Sequence, residues 1–147
     1  MKRSFTSIIF SLFLICFVSI SYANDPVNRE LQSEFFGTWH YPKNDIYYTI
    51  SEDYLVAYMP GDDEGFTVRI TSWEYIENEG SNSNTYPNGF LIRATMEKMT
   101  GSWWLDIGES DIWFLFLNKD KNSFITEDDV IYFRSEGISG AQFTLLF

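Results

Sequence analysis

Gly37-Thr38-Trp39-His40-Tyr41, followed by Ile46-Tyr47-Tyr48-Thr49-Ile50, is where the hydrophobic pattern of the chain settles into a period of two. Ile46, Tyr48 and Ile50 alternate with Tyr47, Thr49 and Ser51, so one set of side chains faces a core and the other faces outward. Roughly 95 residues later, Tyr132-Phe133-Arg134 ends the last clear segment of this kind, a separation that suits an up-and-down β-barrel.

Beyond Ile50, Ser51-Glu52-Asp53 is a polar turn before the apolar run 54–59, which makes a hairpin. Pro60-Gly61-Asp62-Asp63-Glu64-Gly65 is a loop, and Phe66, Val68 and Ile70 resume the alternation into Trp73, Tyr75 and Ile76. The longest break, 77–88, is polar apart from Tyr86, and a loop of that length is either functional or mobile. A strand over 90–96 leads through Thr100-Gly101-Ser102 into a further strand, Trp103-Trp104-Leu105-Asp106-Ile107. Residues 112–117, Ile-Trp-Phe-Leu-Phe-Leu, are apolar on both faces, so periodicity cannot orient them. Their outer face calls for a cover, either the C-terminal tail 141–147 or a second subunit, which leaves a homo-oligomer open. Upstream, Asn24-Asp25-Pro26 caps and starts one short helix over 27–35, which brings Leu31 and Phe35 over one end of the barrel. The expected fold is all-β: an antiparallel up-and-down β-barrel of about eight strands with a short N-terminal helix. Short meander links favour it over a sandwich.

The N-terminus carries Lys2 and Arg3, an apolar stretch over 5–20, and Ser21-Tyr22-Ala23 with small residues at the −3 and −1 positions, which reads as a secretory signal cleaved after Ala23. The apolar part is shorter than the ~20 residues a membrane span needs, so no membrane anchor is expected after cleavage. Cys16, the only cysteine, follows Phe13-Leu14-Ile15 and lies inside the apolar stretch, unlike a lipid-modified cysteine. Residues 24–147 then form one domain without thiol or disulfide, secreted or periplasmic, stabilised by its core. That core is aromatic, since all five Trp of the chain lie beyond the signal.

The formal charge is −11 for the whole chain, and loss of Lys2 and Arg3 makes the mature domain more acidic still. Nucleic acid is a poor partner for such a surface. Basic proteins and cationic ligands are the partners that its electrostatics admit.

Gly37-Thr38-Trp39 after a short helix, with Arg134 on the last strand, resembles the lipocalin-like (calycin) barrels. The resemblance implies that Gly37, Trp39 and Arg134 close one end of the barrel, with the guanidinium lying across the indole as a cation–π contact. It implies no catalytic residue and no cofactor. Avidin-like barrels also begin with Gly-Thr-Trp, and the rest of that pattern is missing here.

The other candidate motifs carry less. Residues 118–129 resemble a calcium-binding EF-hand loop, with oxygen donors at loop positions 1, 3, 5, 9 and 12. Asn118, Ser123 and Asp129 replace the usual Asp, Gly and Glu, and the flanks read as strands, so a hairpin turn at residues 119–122 is expected and no metal. His40, the only histidine, faces outward if Trp39 faces inward, which takes it out of any cavity. Asp106 and Glu109 form no informative acid pair where carboxylates abound. No nucleophile, base and orienting group assemble, so no enzymatic activity is expected. Trp103 and Trp104, as strand neighbours, point to opposite faces, as do Tyr47 and Tyr48.

The leading functional expectation is a non-enzymatic barrel that binds a small apolar or aromatic molecule in its open end, with walls drawn from Tyr48, Phe90, Ile92, Trp104 and Phe114. The alternative is a protein-binding module, such as an inhibitor of a basic secreted or host enzyme, acting through the acidic loops Asp62-Asp63-Glu64 and 77–84. Both place function away from Trp39, in the loops after Met59 and Ile76.

Overall fold

A computed structural model describes residues 25–136. The segment expected to be a secretory signal, residues 1–23, and the tail expected to cover the 112–117 strand lie outside the described residues. Helix α1 (Pro26–Ser33) starts as expected: Asp25 adopts an extended conformation and its Oδ1 accepts from the Val27 N–H at 3.0 Å, with Pro26 opening the helix. It stops two residues before the expected end. Phe35 and Phe36 donate their N–H groups to Gln32 and Ser33, tightening the last turn, and Gly37 at φ 119° redirects the chain, a conformation that side chains resist.

Eight strands follow among the described residues: β1 (Gly37–Tyr41), β2 (Ile46–Ile50), β3 (Tyr54–Met59), β4 (Glu64–Glu77), β5 (Asn88–Thr100), β6 (Ser110–Leu117), β7 (Ser123–Thr126) and β8 (Ile131–Ser135). Each pairs antiparallel with the next, and β1 pairs with β8 through Thr38↔Ser135, Trp39↔Arg134 and His40↔Phe133, so the sheet closes into a barrel. Closure removes every sheet edge.

Period two decides which residues fill the interior. Trp39, Ile50, Leu55, Ala57, Phe66, Val68, Ile92 and Phe124 are buried inside, with Phe35 entering from the helix side against Phe90 and Phe124. In β4 the inward residues change from even to odd numbers. The register with β5 shifts between Ile70 and Ser72, so Trp73 and Tyr75 face the core beside Ile92 and Phe90. Gly89 serves a different need: a Cβ there would stand 1.8 Å from the Leu115 carbonyl oxygen, so only glycine lets β5 lie this close to β6.

In β6, Trp113, Leu115 and Leu117 face inward opposite Ile92, Phe90 and Asn88, which sends Ile112, Phe114 and Phe116 outward. Phe114, expected in the cavity wall, is therefore on the outer face. Its run carries apolar residues at both parities, and neighbours on a strand cannot share a side.

One end of the barrel is shut. Arg134 lies over the Trp39 ring at 4.1 Å and donates to the carbonyls of Glu34 (2.7 Å), Lys121 (2.9 Å from Nη2) and Phe36 (3.4 Å). The Trp39 indole donates to the Phe35 carbonyl at 2.8 Å, and Lys121 pairs with Glu34 at 2.8 Å. Helix, β6–β7 turn and last strand are thus tied together around one guanidinium.

Candidate functional site

Alternation up and down the barrel places the connections 42–45, 60–63, 101–109 and 127–130 at the end opposite α1. That end holds a cavity of about 360 Å³. Leu55 and Leu115 line its inner part; Tyr48, Tyr132 and Trp113 form walls; Trp104 stands over the mouth; Asp111, Glu127 and Asp128 contribute carboxylates, with Thr126 and Val130 between them.

The aromatic walls come as two pairs. Tyr48 and Tyr132 stack at 4.4 Å with 19° between their planes, and Tyr132 stacks in turn on Phe124 at 5.0 Å. Trp104 meets Trp113 edge to face at 5.9 Å and Phe66 at 5.3 Å, while Trp103 meets Phe66 at 4.7 Å. Burial holds the Tyr48 hydroxyl above its ordinary pKa, the negative charge of Glu127 adds to this, and a hydrogen bond from Tyr132 works against it. Tyr132 is raised too, by burial first and then by Tyr48 and Tyr41. Both phenols are therefore neutral at physiological pH, and the formal charge of the site resides in its three carboxylates.

Each carboxylate is placed by the local fold. Asp111 faces inward on β6, opposite Ala94; its Oδ2 accepts from the Trp104 indole at 3.1 Å and its Oδ1 from the Ile112 N–H at 2.8 Å. Glu127 follows β7, and its Oε2 accepts from the Phe114 N–H at 3.0 Å. Asp128 stands exposed in the β7–β8 turn. Among the described residues no group of three or more His, Cys, Asp or Glu side chains comes together to hold a metal ion. Residues 118–122 form the turn between β6 and β7, where Asn118 Oδ1 and Asp120 Oδ1 accept from the backbone of Asp120 and Asn122, and Ser123 onward is strand.

Of the residues expected in a cavity wall, Tyr48 and Trp104 line this cavity. Phe90 and Ile92 are buried deeper, Phe90 against Phe35 and Trp73 near the closed end, and Phe114 is outside. Trp103 and Trp104 are not on a strand. Residues 101–109 turn through Gly101 at φ 85° and Gly108 at φ 90°, so both indoles gather at the same end, Trp104 remaining 52 % exposed. Parity did not apply to them.

Trp113, Tyr132 and Asp111 were missed. Tyr132 was within reach of period two, since Arg134 on Trp39 puts residue 132 on the same face. His40 faces outward as expected, stacked on Tyr47 at 4.3 Å with Nε2 2.9 Å from Asp45. The loop after Ile76 lies at the closed end, opposite the loop after Met59. It is pinned by Asn78, which bonds Asn82 and the Tyr86 carbonyl at 2.8 Å each, and by buried Tyr86. A partner docking at one end of the barrel therefore meets only one of the two acidic loops.

No protein-family model, no curated protein and no solved structure matches this chain.

Proposed function

We propose that the chain is a secreted or periplasmic, non-enzymatic barrel of the lipocalin-like type that binds one small apolar or aromatic molecule in its open end. The observation that carries this reading is the 360 Å³ cavity walled by Tyr48, Tyr132, Trp113 and Trp104 at the end opposite the Trp39–Arg134 closure. A volume of this size falls at the small end of ligand pockets. Aromatic and leucine walls reward burial of an apolar body, and the phenol hydroxyls supply a few oriented polar contacts. One end shut and one end open is also the division of labour that the lipocalin-like resemblance implies.

Native mass spectrometry of the protein purified from its own host tests the reading. A co-purifying mass that leaves on mild activation is expected, and Trp113→Ala should lose it. An empty protein that also takes up no added aromatic compound would overturn it. Capture of a basic protein is supported only by the acidic open-end connections, since the 77–84 loop sits at the other end. It differs in showing steep loss of binding with salt and no small ligand.

A further inference from the structure

We infer that the molecule held in the open-end cavity is an organic ammonium: a one- or two-ring aromatic body carrying a protonated or quaternary amine. The inference rests on the cavity reading above and specifies its ligand class.

Turn chemistry explains part of the acidity at this end. Asp45, Asp63 and Asp129 have φ of 50°, 52° and 59°, and Asp is among the few residues that accept the left-handed region in tight turns. That account does not reach the carboxylates of the cavity. Asp111 is on a strand with its side chain toward the barrel interior, where an uncompensated charge is costly, and Glu127 and Asp128 do not adopt positive φ. Among the described residues no Lys, Arg or His lines the cavity to balance them. Two of the three are also held in place: Asp111 by the Trp104 indole and the Ile112 N–H, Glu127 by the Phe114 N–H through one oxygen. Fixed acceptors beside an apolar pocket are poor company for a neutral ligand, which would dehydrate them without return, and worse for an anion.

An ammonium group resolves the mismatch. Its apolar body fits among Leu55, Leu115 and Trp113, while its charge lies within the carboxylate rim and against the face of Tyr48 or Trp113, which attracts cations. The carboxylates are spread around the mouth and do not converge as a metal site requires, an arrangement suited to a diffuse organic cation.

Three probes that share a phenylethyl body separate charge from fit: 2-phenylethylamine, 2-phenylethanol and 3-phenylpropanoate, each titrated calorimetrically into the protein. The amine is expected to bind about tenfold more tightly than the alcohol, from one cation–π contact and one partly exposed ion pair, and the carboxylate not to bind. Asp128→Asn, at an exposed turn position, should cut the amine's advantage over the alcohol several-fold, and 0.5 M salt should do the same. Equal affinity for amine and alcohol overturns the charge assignment while leaving the cavity reading in place. Binding of none of the three counts against both.

Discussion

The Arg134 guanidinium carbon sits 4.1 Å from the centre of the Trp39 ring, and the two residues are direct partners in the β1–β8 ladder that closes the barrel. Chain start and chain end of the sheet therefore meet at one cation–π contact, and the same guanidinium collects carbonyls from the helix end and from the β6–β7 turn. Trp39 itself is fully buried. The pair is a seal, and the cavity lies at the other end of the barrel.

Arg134→Ala should destabilise the fold by about 1–3 kcal/mol, from the lost cation–π contact and the carbonyls left without a charged donor. Arg134→Lys should recover little, because one ammonium cannot span three carbonyls. Urea denaturation measures both, and ligand affinity at the open end should not move.

Gly89→Ala should cost about 1–3 kcal/mol or more, although it adds one methyl group. The obstacle is the Leu115 carbonyl oxygen, 1.8 Å from the added carbon, and a backbone atom cannot swing away as a side chain can. Urea midpoints compared with those of an exposed glycine with no nearby atom, Gly61, give the control.

Alkaline pH should unfold the protein through Tyr48 and Tyr132. Both are held neutral above the ordinary tyrosine range, whereas the unfolded chain releases these protons near pH 10. The folded state then binds more protons than the unfolded one, so stability is complete below about pH 10 and falls as pH rises beyond it. Absorbance at 295 nm should show these two phenols titrating late, together with unfolding, and Tyr132→Phe should flatten the alkaline loss.

Calcium should leave the protein's melting temperature unchanged after chelator treatment. Asn118 and Asp120 spend Oδ1 on backbone N–H groups, and Asp129, the last position of the EF-hand-like pattern, lies in the next turn beyond β7. A rise of several degrees at millimolar calcium would show that the loop rearranges around the ion.

Much of this was legible from residue pattern. Period two located the strands, Asp25-Pro26 located the helix, and Gly37-Thr38-Trp39 with Arg134 pointed to the seal. The site was legible only in part, for three physical reasons. The 112–117 run is apolar at both parities, so Phe114 and Trp113 could be exchanged without any cost visible in the pattern. Aromatic Trp103-Trp104 reads as strand, but glycines at φ 85° and 90° on either side bend it into a connection. The register shift after Ile70 reverses parity in mid-strand, which no period can announce. Asp111 was hidden for a related reason: a polar residue beside a turn is ordinary until the register turns it inward.

The five indole N–H groups report where a ligand sits, because Trp103, Trp104 and Trp113 stand at the open end while Trp39 and Trp73 pack near the closed one. Two-dimensional nitrogen–proton NMR of the protein, titrated with 2-phenylethylamine, should shift the Trp104 and Trp113 signals in a saturable way and leave Trp39 and Trp73 in place. Saturable shifts at Trp39 or Trp73 with Trp104 and Trp113 unmoved would contradict a ligand site at the open end.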